Sequence, residues 1–270
     1  MPLPIDDTRP SADLRHQALQ LLLCADPDAK ARGARQLDAN GWVDVAATIE
    51  CNGTIPGRPA LPQLLPHTRL KQRSVHTTVG RAALIHSLVH IELNAIDLAL
   101  DVCWRFPGMP EPFYRQWLQV AREEALHFEL LRDHLRTLGH VYGDFVAHDG
   151  LWQMAERTRH ELLARIALVP RTLEARGLDA SPAVKAKLLA AGDQRGGEIL
   201  DIILRDEIGH VAIGNHWFRW LCERDGIDPL PTYAELAQRH QAPRLRAPFN
   251  LEARRAAGFD DAELQALLAG

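Results

Sequence analysis

The chain has 270 residues, 46% of them hydrophobic, enough to bury a substantial core as one large domain or as one domain with extensions. A formal net charge of −4 and an isoelectric point near 6.3 give no general pull toward nucleic acid or anionic membrane. Four scattered cysteines (Cys24, Cys51, Cys103, Cys222) without a Cys-x-x-Cys, and no basic leader or long uninterrupted apolar run, argue against a disulfide framework, a zinc ribbon, a secretory signal or a membrane span, so a cytoplasmic location is expected.

Residues 1–76 read as an N-terminal extension. A short helix is expected over 11–23 with Ser11 as its N-cap, and a second over 28–37. The prolines at 56, 59, 62 and 66 then exclude regular helix, which suggests an extended arm wrapping a larger body. From 77 to 105 a long helix is expected, with Ile85, Leu88, Glu92, Ala95, Ala99 and Cys103 in one stripe, ended by Phe106-Pro107-Gly108. Glu92 is the only charge in that stripe. A carboxylate there is costly unless an arginine or a metal meets it, and this stretch alone leaves both open.

The next helix, 111–138, carries Trp117, Val120, Glu124, His127 and Leu131 on its inward face. After the connection GHVYGDFVAHDG, a helical piece is expected over 152–160, then a helix to about Gly177 that Pro170 should kink. Glu161 and Glu174 compete there for an inward position; 13 residues place them about 220° apart, so they cannot share one site. A break over 177–182 and a segment 183–191 precede the last long helix, 195–224. Its stripe is Ile199, Ile203, Glu207, His210, Gly214 and Trp217, and Asp225-Gly226 stops it. A C-terminal extension, 226–270, should hold a helix over 232–240, a Pro/Arg-rich link, and a terminal helix capped by Asp260 or Asp261.

Glu-x-x-His occurs twice, at Glu124/His127 and Glu207/His210, and each pair lies on one helix face. Glu92 precedes the first pair by 32 residues and Glu174 the second by 33, whereas Glu161 would give 46. The chain therefore reads as two similar helical hairpins, all-α overall. They would supply four carboxylates and two imidazoles inside a ferritin-like four-helix bundle over 77–225, the ligand set of a dinuclear carboxylate site. Glu123 and Asp206 precede the paired glutamates; Asp206 is expected to orient His127, and Glu123 to orient His210, by accepting the second ring N–H. Oxygen and nitrogen donors without thiolates suit two iron ions, or manganese, or a mixed pair. His86, His90, His134 and His216 are read as packing or surface residues.

With HIELNAIDLALD, EEALHF, GHVYGDF, HDGLW, EARGLD, RDEIGHVAIGNHWF and PFNLEARRAAGF in view, residues 87–259 resemble a ferritin-like family of bacterial proteins catalogued as a domain of unknown function. More distantly, the chain is similar to the di-iron hydroxylase that acts on a thiomethylated isopentenyladenosine of tRNA. The shared elements are the two E-x-x-H helices, the YG turn and the glutamate of EAR, which supports Glu174; the GLDASP that follows departs from that enzyme.

The resemblance implies the bundle and the metal site. The function expected is an O2-activating oxidase or hydroxylase acting on an unidentified small molecule, with an electron donor and a homodimer as candidate partners. Iron handling (ferroxidase or peroxide scavenging) and a purely structural metal bundle are the alternatives. No basic surface favours tRNA as substrate. Arg244, Arg246, Arg254 and Arg255 read as a solvated face or an interface before an anion site.

Overall fold

The structure is a computed structural model that describes residues 13–71 and 73–269. Regular structure among these residues is helical: α1 (Leu14–Leu23), α2 (Pro27–Arg35), α3 (Thr78–Arg105), α4 (Glu111–Thr137), α5 (Gly150–Arg157), α6 (Leu162–Leu168), a π-helical segment (Val169–Glu174), α7 (Ala175–Ala190), α8 (Gln194–Asp225), α9 (Pro229–Arg239), α10 (Leu251–Ala256) and α11 (Asp261–Ala269). A 3-10 turn, His67–Arg69, and one isolated bridge, Leu64 to Ala147, interrupt the irregular arm between α2 and α3.

The long helices start and stop where local chemistry dictates. Thr77 accepts the Gly80 N–H at 3.1 Å to open α3, and Asp193 accepts the Gly196 N–H at 2.9 Å to open α8. Gly226, at φ +66°, closes α8 in the left-handed conformation that glycine adopts without strain. α3 packs on α4, α4 on α8, and α6, the π segment and α7 on α8; α1 lies on α3 and α2 on α4. By composition α3 could cross a membrane, with a mean hydropathy of 1.4 in its best window. However, 72% of that window is buried against its neighbours, as in a core helix.

The N-terminal segment does more than cover the helices. Arg15 is fully buried and donates to the carbonyls of Cys103 and Trp104, both at 2.9 Å, and to those of Asp44 and Ala47, both at 2.7 Å. A guanidinium here satisfies carbonyls left open at the C-terminus of α3 and complements its dipole. Lys30 of α2 pairs with the buried Asp97, and Arg165 of α6 with the buried Asp101, which Arg105 also holds at 2.6 Å.

Three expectations need correction. The Ser11 cap lies outside the described residues; the helix begins at Leu14, and Asp13 caps it by accepting from His16 N. The expected break over 177–182 does not occur, because α7 runs on through Pro182. Proline frees the Leu178 carbonyl one turn back, and the Asn250 side chain, 72 residues away, donates to that oxygen at 3.2 Å. Arg254 is not solvated: it is buried and holds Asp179 with two nitrogens, at 3.0 and 2.7 Å. In addition, α10 occupies the stretch between the Pro/Arg link and the last helix, and Asp260 caps α11 reciprocally with Glu263, at 2.8 and 2.9 Å.

Candidate metal centre

Counting from the reversal explains how α3 and α4 bring their carboxylates together. Glu92 lies 13 residues before the end of α3 at 105, and Glu124 lies 13 residues after the start of α4 at 111. Equal counts at 1.5 Å per residue put the two at one level. In the second hairpin Glu174 lies 16 residues before the end of α7 at 190, and Glu207 lies 13 after the start of α8 at 194, a mismatch of about 4.5 Å. Glu92, Glu124, His127 and Glu207 offer donor atoms all within 4.8 Å of one another, a group that includes neither Glu174 nor His210.

The cluster has two lobes that share Glu124. On one side His127 Nδ1 lies 3.2 Å from Glu124 Oε2 and 3.4 Å from Glu92 Oε2. On the other, His210 Nδ1 lies 3.0 Å from Glu124 Oε1 and 3.8 Å from Glu207 Oε1. The two imidazoles are 5.9 Å apart, centre to centre. Their outer nitrogens are held by carboxylates from the opposite helix: His127 Nε2 is 3.1 Å from Asp206 Oδ2, and His210 Nε2 is 2.7 Å from Glu123 Oε2. These contacts turn both Nδ1 atoms inward.

The π segment brings in Glu174. Pro170 cannot donate to the α-helical ladder, and the chain widens there. Gly214, one turn beyond His210 on α8, lets the segment come close: a Cβ at Gly214 would lie 2.9 Å from the Pro170 Cβ. Glu161, the competitor, is far from the cluster, bound to Arg239 and, at 3.2 Å, to His240.

Burial and mutual charge set the protonation of these groups. Burial pushes Glu92 well above the ordinary carboxylate range, with the Glu124 charge adding to it. Glu174 is raised by burial and then by the Glu207 charge, and Glu207 by burial and then by Glu124. Burial would raise Glu124 too, but His210 and His127 together hold it well below its usual value. Both imidazoles resist the lowering effect of burial: Asp206 and Glu124 hold His127 well above 6.5, and Glu124 and Glu123 do the same for His210.

These residues fit a metal. α3 buries three carboxylates; Asp97 and Asp101 have Lys30, Arg165 and Arg105, while no lysine or arginine pairs with Glu92 among the described residues. Nine buried side-chain polar atoms of the described residues lack a hydrogen-bond partner, and five belong to this cluster: Glu92 Oε2, Glu124 Oε1, Glu174 Oε2, Glu207 Oε2 and His210 Nδ1. Glu92 Oε2, Glu124 Oε1 and His210 Nδ1 face charged neighbours without making a hydrogen bond, and Glu174 Oε2 and Glu207 Oε2 lack even that; such a concentration of buried groups is expensive unless a cation meets them. Donor atoms about 3 Å apart are also what bonds of about 2.1 Å at right angles require. Four carboxylates would balance two divalent ions.

The remaining histidines lie elsewhere. His86 accepts from Gly143 N at 3.0 Å, His90 is 2.7 Å from the Tyr142 hydroxyl, His134 binds Asp193 at 2.9 Å, and His216 is exposed. The Asp193 that caps α8 thus also ties it to α4, a role the sequence reading missed.

The fold and site define an all-helical protein with a buried carboxylate–histidine cluster that could hold a metal ion. The chain belongs to the family described as a protein of unknown function (DUF455), whose model matches residues 23–265. It is 47% identical over 213 residues to an uncharacterized protein of Haemophilus influenzae, covering 76% of this chain and 74% of that one. No solved structure matches it.

Proposed function

We propose that α3, α4, the run from α6 through α7, and α8 form a ferritin-like four-helix bundle that holds two iron ions and activates O2 to oxidise a small organic molecule. Manganese or a mixed pair would fit the same donors. The observation that carries this reading is the set of five buried donor atoms without a hydrogen bond, in two lobes that share Glu124.

In this reading Glu92 and His127 serve one ion, and Glu207, Glu174 and His210 the other. Glu124, which contacts both imidazoles, would serve both ions. Asp206 and Glu123 accept the Nε2 protons, which keeps Nδ1 free to bind and makes each imidazole a stronger donor. Bound in the reduced state, the two ions would supply the electrons that reduce O2. Val120 and Ile203, both buried, and Leu88, partly buried, line neighbouring turns of the ligand-bearing helices and would limit the access of water.

The test is O2 uptake by protein loaded anaerobically with two Fe(II) per chain. Stoichiometric uptake without continued oxidation of added Fe(II) is expected. Repeated turnover of excess Fe(II) would point to iron handling instead, and bound iron inert to O2 would leave only a structural role.

A further inference from the structure

A cavity opens where α9, α10 and α11 meet Arg171 of the π segment. It measures about 420 Å3, within the range that holds small organic molecules. Its wall is mostly apolar: leucines and alanines of α9 and α11 and the ring of Phe259, with Arg171, Arg244 and Arg254 as its cations and Glu263 as its one acidic residue.

The three arginines are not equivalent. Arg254 is matched by Asp179, as described above. Arg171 is only 4% exposed and sits among three rings, its guanidinium carbon 4.7 Å from the centres of Phe218 and Tyr233 and 5.1 Å from that of Phe259. It shares its carboxylate partner, Glu263, with Arg219, which donates at 2.5 Å. Glu263 is therefore divided between two guanidiniums, and Arg171 Nε is buried with no partner at all. A buried cation with incomplete compensation, in the wall of an apolar cavity, is a binding group for an anion.

We infer that this cavity binds a small carboxylic acid with an apolar body, its carboxylate meeting Arg171 and its body lying along the alanine-rich faces of α9 and α11. Arg171 stands three residues before Glu174 on the same π segment, whose Thr172 hydroxyl is 2.9 Å from the hydroxyl of Tyr233, another cavity residue. Occupancy of the cavity therefore bears on the position of Glu174. That link, unlike the site itself, rests on the proposed metal role of Glu174.

The site is tested by calorimetry on the full metal-free chain with 4-phenylbutyrate, 4-phenylbutanol and 4-phenylbutylamine. The acid binds at one site, and the alcohol and amine at least about tenfold more weakly, the difference expected of a charge-assisted hydrogen bond. Ala266→Trp fills the cavity from an exposed position and abolishes binding; Arg171→Met reduces the acid to the level of the alcohol. Equal affinity for the three probes, acid binding that survives Ala266→Trp, or an acid preference that survives Arg171→Met would overturn the site.

For the link, Co(II)-loaded protein is titrated with the acid. The visible spectrum of the metal shifts in the parent chain and not in Ala266→Trp. An unchanged spectrum in protein that binds both cobalt and acid overturns the link and not the site. A chain that binds the acid but no cobalt overturns the metal reading instead.

Discussion

Replacing Gly214 with alanine probes how the π segment is held against α8. Within a helix, glycine to alanine normally gains about 1 kcal/mol. At Gly214 the added Cβ meets Pro170 Cβ at 2.9 Å and Cγ at 3.1 Å, with Arg171 N at 3.6 Å. A proline ring cannot rotate away, so the backbone of the π segment must retreat by several tenths of an ångström, an overpacking cost of about 1–3 kcal/mol. Gly209, five residues earlier on the same helix, has nothing within 4 Å of the same atom and is exposed, so Gly209→Ala keeps the propensity gain alone. Thermal unfolding of the two variants should differ by about 1–3 kcal/mol, roughly 2–12 °C in Tm, with Gly214→Ala the less stable. Because Glu174 rides on the displaced segment, Gly214→Ala should also bind Fe(II) or Mn(II) more weakly, and Gly209→Ala should not. If Gly214→Ala melts as high as Gly209→Ala and keeps full metal affinity, the close approach does not position Glu174.

Asp206→Asn and Glu123→Gln each remove the acceptor that fixes one imidazole, and metal affinity should fall by about 10–100-fold in each, read by competition with a chelator. Metal binding should also release protons. His127 and His210, held above 6.5, and Glu92, Glu174 and Glu207, raised by burial, are protonated forms that a metal displaces. Affinity should therefore rise with pH and fall as pH drops, about tenfold per unit for each proton released, and titration in weak buffer with an indicator dye should count more than one proton per ion. Asn250→Ala removes both the donor to the Leu178 carbonyl beside Pro182 and the side-chain cap of α10, and should cost at least about 1–3 kcal/mol in denaturant unfolding.

The long helices were legible because each is written locally: a 3.6-residue apolar stripe bounded by Thr77 and Phe106-Pro107, or by Asp193 and Gly226, needs no partner to be recognised. α7 was not, because the atom that rescues the helix at Pro182 comes from Asn250 in another segment. Arg15 escaped notice for the same reason: in the sequence it is one basic residue in a short helix, and only the packing of α1 on α3 brings it to the C-terminal carbonyls.

At the site, the sequence pattern pointed to Glu92, Glu124, His127 and Glu207, which the fold does bring together, and to the contacts of Asp206 with His127 and Glu123 with His210. It could not decide whether an arginine met Glu92, since Asp97 and Asp101 on the same helix do find cations. Nor did the matched spacings of 32 and 33 reveal that Glu174 and His210 fall outside the tightest group. The cavity beside Arg171 had no sequence signal beyond a scatter of arginines, because tertiary packing alone sorts them into paired and underpaired.

Metal stoichiometry tests the proposed dinuclear site most directly. Elemental analysis of protein expressed with iron and manganese should find about two ions per chain, falling sharply in Glu174→Ala and unchanged in Glu161→Ala, since Glu161 serves Arg239 and His240 at the surface. No stoichiometric metal, or equal losses in the two variants, would contradict it.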